Sequence, residues 1–299
     1  MRNRNRTHAG SLHLMLLPAV LVTLVFHYLP MGGLVMAFQD FKPHLGFARS
    51  PWVGFEHFRY LFEREDGVQV IWNTFVISAL KIVLHLLVPL VFALLLNEIR
   101  QMFFKRFVQT LVYIPHFLSW VIFGGLLLDL LSVNGLVNHF LGTLPGVEPL
   151  QFLSDGNLFR GTVVVTDVWK EFGFNAILFL AALTGVNPAL YEAAEMDGAG
   201  RFKQTLNVTL PAILPIIVVL LTLSLGNVLN ANFDQIFTMY NAMVYDKGDI
   251  IDTFVYRVGL IDGDFSFATA MGFFKSFVGL VLIVVSYWGA RKFAGYRVF

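Results

Sequence analysis

Between Asp66 and Glu98 the chain carries a single charge, Lys81, in a stretch dominated by Val, Ile, Leu and Phe. A run of about twenty mostly apolar residues is what crosses roughly 30 Å of hydrocarbon as a helix. Six stretches meet that condition, near 11–38, 72–97, 107–131, 161–183, 211–229 and 266–290. The fourth is interrupted by Asp167, Lys170 and Glu171, and the fifth is short and bracketed by Pro211, Pro215 and Gly226. The expected fold is all-α, a polytopic membrane protein of six transmembrane helices. With no internal repeat, Pro-rich linker or low-complexity tract, residues 1–299 are expected to form a single transmembrane domain.

Composition narrows the function classes. Charged residues are only 14% of the chain and the net charge is +1, with no long basic patch, so nucleic acid is not an expected partner. The absence of cysteine removes disulfides, thiol nucleophiles and Cys-based metal sites. The N-terminal region starts with basic residues as a signal peptide does, but its apolar run is longer than such a leader and has no A-x-A site, so it is expected to remain as the first span.

Lys and Arg set the expected orientation, because loops on the cytoplasmic side carry the excess of positive charge. With the N-terminus inside, eleven basic residues fall in the inner segments and seven in the longer outer ones, whereas thirteen acidic residues fall outside and four inside. Both termini and the segment after Gly185 are thereby expected in the cytoplasm.

That segment, 187–211, is built differently from its surroundings. Asn187 suits an N-cap, and Pro188 suits the first helical position, where a missing N–H costs nothing. Ala189 to Met196 are mostly good helix formers, and Gly198 can adopt the left-handed conformation that ends a helix. Gly200 to Leu210 is expected to form a second short helix that Pro211 stops while opening the next span. A helix of about ten residues is marginal alone in water and must lie on something. Small Ala193, Ala194 and Ala199 permit close approach, but a protein partner and the membrane surface both fit these features.

Glu192-Ala193-Ala194, then Gly198, then nine residues to Val208, then Leu210-Pro211 resemble the EAA signature of permease subunits of binding-protein-dependent ABC importers, EAA-x3-G-x9-I-x-L-P, with Val208 where Ile is usual. Further blocks, HYLPMGGLVMAFQDFKP, SPWVGFEHF, QTLVYIPHFLSWV, DVWKEFGFNAILFLAAL and VYDKGDIIDTFVYRVGL, are similar to the branch of maltose-type sugar permeases that serves oligosaccharides released from polysaccharides. The resemblance implies a coupling helix between spans four and five that docks in an ATPase subunit. Glu192, Ala193, Ala194, Asp197 and Gly198 are its coupling residues, and Leu210 and Pro211 anchor the next span. It also implies a second homologous permease, an ABC ATPase dimer, an extracellular solute-binding protein, an oligosaccharide substrate carried by alternating access, and a multi-pass place in a bacterial cell membrane. The Asp-rich outer segment 230–265 is a candidate landing site for the binding protein.

Ionisable groups at bilayer depth are costly and are either functional or paired. Asp129, Asp167, Lys170, Glu171, Lys81 and Lys275 qualify; Asp167 and Glu171 share a helix face with Lys170 close by, so pairing within that helix is expected. Sugars are held by hydrogen-bonding groups and aromatic faces. Asn175, Asn227 and Asn232 are suitable types, and Trp169, Glu171 and Asn230 are the candidate pathway residues. No catalytic residue, metal site or cofactor is expected: the chain has no P-loop, so any ATPase activity belongs to a partner, and neither H-E-x-x-H nor G-x-S-x-G occurs. Most of the eight histidines look like solitary packing or interfacial residues. The competing function is a self-sufficient ion-coupled secondary transporter, a class that often shows inverted repeats with matching broken helices, which are not found in this sequence.

Overall fold

The computed structural model describes residues 4–293. The expectation about the two ends rests partly on Arg2 and Arg297, which lie outside the described residues. The principal helices are α1 (Arg4–Thr23), α2 (Glu65–Asn97), α3 (Met102–Tyr113), α4 (Trp120–Leu131), α5 (Gly156–Thr184), α6 (Pro188–Met196), α7 (Leu210–Leu225), α8 (Phe233–Met239) and α9 (Phe265–Phe293). Among the described residues there is no strand, only an isolated bridge between Gln39 and Trp52. Five helical stretches are long and apolar enough to cross a membrane, and six if α5 and α6, bent by 70° at their junction, count as one broken span. The all-α, polytopic expectation therefore holds.

Prolines mark where the helices change character. A π turn at Leu24–Tyr28 precedes Pro30, and another at Thr205–Thr209 precedes Pro211. In each the following N–H reaches back five residues, Leu29 to Leu24 and Leu210 to Thr205. A proline ring lacks a donor and collides with the carbonyl four residues earlier, and a widened turn makes room for it. This corrects one expectation: Pro211 does not stop a short helix, because the chain stays helical from Arg201 to Leu225. Nor is the stretch 107–131 one helix. Pro115 sits in a 3₁₀ turn at Ile114–Phe117, Leu118 is extended, and Ser119 caps α4 by accepting from the Ile122 N–H at 3.3 Å.

The chain divides into two compact units. One comprises the chain up to Glu63 with Val255–Phe274. Phe38 is its aromatic hub, with ring centroids 5.5 Å from Phe55, 5.5 Å from Phe58 and 5.8 Å from Phe273. Hydrogen bonds brace the same place: Val53 N–H donates to the Phe38 carbonyl at 3.0 Å, and Phe41 N–H to the Ser266 side-chain Oγ at 2.8 Å. The apolar span His13–Phe38 buries none of its most hydrophobic window, as a lipid-facing helix can afford.

The other unit comprises Arg64–Phe254 and the chain from Lys275 onward. Its central pair is α2 and α5. At one end Ile77, Phe159 and Val163 pack with Phe123 of α4 and with Ile236 and Met239 of α8. At the other, Leu90, Ala93, Ala176 and Phe179 pack with Ile213 of α7. Lipid tails are as apolar as leucine, so close packing and small residues, rather than exclusion of water, hold such helices together. Gly173 of α5 illustrates this, since a Cβ there would overlap the carbonyl of Val112 on α3.

Gly173→Ala is therefore expected to destabilise the fold by about 1–3 kcal/mol, the usual cost of overpacking. Gly161→Ala, inside the same helix, meets nothing within 4 Å and should be neutral or stabilising by up to about 1 kcal/mol. Thermal unfolding of the purified protein in detergent compares the two; equal melting temperatures would remove the close α3–α5 contact from this account.

Candidate functional site

The segment 187–211 is assembled from local chemistry. Asn187 Oδ1 accepts the Ala189 N–H at 3.0 Å, with Pro188 opening α6. At the far end Gly198 has φ +75°, and the Ala199 N–H returns to the Ala194 carbonyl at 2.9 Å. That six-to-one bond across a left-handed glycine closes the helix. Side-chain bonds hold the segment, among them Tyr191 to Thr209 at 3.0 Å, Gln204 to the Ala199 carbonyl at 2.9 Å, and Arg201 to Glu98 at 2.6 Å.

No residue of α6 is buried. Glu192, Ala193, Asp197 and Gly198 are exposed and Ala194 is half-buried, while Met196 and Phe202 are 89% and 77% exposed. Leu210 packs against the cluster around Ile213, and Pro211 stands at the start of α7. The result is a short capped helix, tied down on one side and presenting acidic, small and apolar groups on the other.

Of the pairing expected within α5, Lys170 with Glu171 is observed, but Asp167 turns to another helix. Asp167 pairs with α2: its Oδ1 lies 3.4 Å from Lys81 Nζ, and its Oδ2 is 2.9 Å from His85 Nε2. Lys170 bonds its neighbour Glu171 at 2.8 Å, and Glu171 also meets His116 Nδ1 at 2.6 Å. Lys275 bonds both oxygens of Asp252, at 2.6 and 2.7 Å. The reason is steric reach. Asp167 is turned into the α2–α5 contact and is 5% exposed, so the cation that meets it comes from the facing helix. Each of the three membrane lysines is matched by a carboxylate. Asp129 is exposed.

The pathway candidates are scattered rather than gathered. Trp169 is half-exposed with its ring 5.3 Å from Phe123, Glu171 is engaged by Lys170 and His116, and Asn230 is exposed on the wall of a groove shared with Asn227, Lys275 and Ser276. Asn175 and Asn232 serve the buried network instead, bonding His85 Nδ1 at 3.1 Å and Asp167 Oδ1 at 3.2 Å. Sequence reasoning missed His85 and His116, which are paired with carboxylates rather than solitary. Lys81 and His85 stand four apart on one face of a span, and that spacing was the available signal for His85. It also missed Gln235, buried and bonded to Lys81, to the Val163 carbonyl at 2.7 Å and to Thr166 Oγ1 at 3.0 Å. Among the described residues no cluster of three or more carboxylates and histidines is placed to hold a metal.

Comparison with known proteins bears on the whole of this arrangement. Residues 85–294 match the family described as binding-protein-dependent transport system inner membrane component. The chain is 46% identical over 282 residues to the polygalacturonan/rhamnogalacturonan transport system permease protein YteP of Bacillus subtilis (strain 168), covering 94% of this chain and 88% of the relative. It is 44% identical over 283 residues to protein LplB of the same organism, covering 94% and 89%. A bacterial ABC transporter involved in import of the acidic polysaccharide alginate contains a chain that superposes with TM-score 0.89 at 38% identity, covering 97% of this chain and 98% of that one. A bacterial alginate ABC transporter in complex with an alginate pentasaccharide-bound periplasmic protein gives TM-score 0.88 at 37% identity, covering 97% of this chain and 96% of that one. This chain is thus a transport permease, belonging to the family of inner membrane components of binding-protein-dependent transport systems.

Proposed function

We propose that this chain is one of two different permease subunits of an ATP-driven importer that brings oligosaccharides, breakdown products of polysaccharides, into the cytoplasm by alternating access. The observation that carries the coupling part is α6: a helix of nine residues, capped at both ends, with no buried residue. Such a helix is unstable alone and is completed by whatever lies on its free face. An ABC ATPase dimer is the proposed occupant, with Glu192, Ala193, Ala194, Asp197 and Gly198 at the contact and Leu210 and Pro211 passing its movement to α7. The relatives named for polygalacturonan/rhamnogalacturonan transport and for alginate import support the substrate class, and the groove beside Asn230, with Asn227, Ser276 and Lys275 on its walls, supports passage through this unit. Trp169, Glu171 and Asn230 remain the proposed pathway residues.

In this reading a loaded extracellular solute-binding protein docks on the outer face, to which the Asp-rich segment 230–265 belongs. ATP binding closes the motor around α6 and turns the cavity outward; hydrolysis resets it inward. The chain sits multi-pass in the bacterial cell membrane with both termini cytoplasmic.

Co-purification in mild detergent should return a second permease and an ATPase whose hydrolysis rises with a loaded binding protein; a chain that elutes alone and takes up sugar on an ion gradient would overturn the proposal. Gly198→Pro and Glu192→Lys should insert normally yet lower uptake per ATP hydrolysed. Ala193→Leu should weaken ATPase association by about tenfold, some 1.4 kcal/mol, through overlap at the contact. Unaltered uptake and association in these variants would count against the assignment of α6.

Since the chain has no cysteine, single cysteines report sidedness directly. Asp262→Cys should react with an impermeant maleimide in intact cells and Met196→Cys only after permeabilisation. The reverse pattern would invert the proposed topology.

A further inference from the structure

Between α7 and α8 the chain leaves the helical path. Gly226, Asn227, Leu229 and Asn230 form one wall of a cavity of about 290 Å³, with Lys275 and Ser276 of α9 on another. The wall has little structure of its own, with turn bonds such as Asn230 N–H to the Asn227 carbonyl at 2.8 Å. Its far end is anchored to the buried charges. Lys81 Nζ donates to the Ala231 carbonyl at 2.8 Å and to Gln235 Oε1, and Asp167 Oδ1 accepts from Asn232 Nδ2 at 3.2 Å. Asn232 has φ +73°, a conformation a non-glycine residue keeps only when its surroundings hold it. His85 steadies Asp167 from α2 and is itself bonded by Asn175.

Non-helical backbone at membrane depth is tolerated only where protein or a cavity satisfies it. Buried ion pairs are inefficient stabilisers, since well-packed apolar residues of the same volume often do as well or better. A lysine and an aspartate, each side chain only 7% exposed, spent on one carbonyl and one strained asparagine make sense as a device for placing that backbone.

The geometry points to Lys81, Asp167 and His85 as positioning residues: they set the wall Gly226–Asn230 without lining the cavity themselves, and so tune how tightly the passing saccharide is held. The last clause rests on the importer reading above; the placement of the wall does not.

The test uses the full chain in its assembled transporter. Lys81→Met with Asp167→Leu removes both charges together, so neither is left buried and alone. Assembly and melting temperature are expected to stay close to those of the unaltered protein. Amide exchange over residues 227–232 should quicken about tenfold, as local opening becomes easier. The half-saturating concentration of an alginate- or polygalacturonate-derived oligosaccharide should rise about tenfold, with maximal uptake changing less than about threefold, as for a loss of binding rather than of turnover. Unchanged exchange at 227–232 overturns the positioning role, as does quickened exchange with unchanged half-saturation in a transporter that takes up the probe. If exchange quickens but even the unaltered transporter takes up neither probe, the placement stands and the substrate reading falls. Should the double variant not assemble, Asn232→Gly keeps φ +73° available and loses the Asp167 bond, with the same expectations.

Discussion

A peptide group at bilayer depth has no water to bond to, and every break in a membrane helix must find its partners within the protein. The rest of this structure follows from that requirement. Where Pro30 and Pro211 interrupt the normal ladder, π turns lengthen the reach of the preceding bonds instead of letting the helix end. Where the chain between α7 and α8 abandons helix altogether, an ammonium takes a carbonyl and a carboxylate takes an asparagine amide. The buried charges and the non-helical stretch after α7 are two sides of one arrangement.

The segment 187–211 looks foreign to its surroundings for a related reason. The orphan backbone groups at a helix end need partners there too, and Asn187 supplies a side-chain acceptor at one end of α6 while the left-handed turn at Gly198 returns the Ala199 N–H to the helix at the other. These features were legible in the sequence because a cap is decided by one side chain and a left-handed turn by one missing Cβ. What the sequence left open was the surroundings: Tyr191 tied to Thr209 and Arg201 to Glu98 are contacts between residues 18 and 103 positions apart.

The polar residues of the spans divide the same way. That Asp167, Lys170, Glu171, Lys81 and Lys275 matter follows from the cost of charge in lipid. Lys170 does pair with Glu171 on its own helix, but the partner of Asp167 was misjudged, because spacing along one helix suggests neighbours on that helix whereas Asp167 faces α2; Lys275 meets Asp252 from a different segment. His85 and His116 gave no motif, and their importance rests on which carboxylate lies opposite.

By itself the sequence determined the number and character of the apolar runs, the capped polar segment between the fourth and fifth, and the residue pattern that places the chain in its family. These are properties of single residues and their near neighbours, read through helical period, proline and glycine. Only the tertiary structure decided which helices face each other, which acid neutralises which base, and that Asn175 and Asn232 are consumed by the core while Asn230 faces a groove. An ion pair is chosen by the rotation of two packed helices about their axes, and that rotation is set by small contacts such as Gly173 against Val112, distributed along the chain and satisfied only all together.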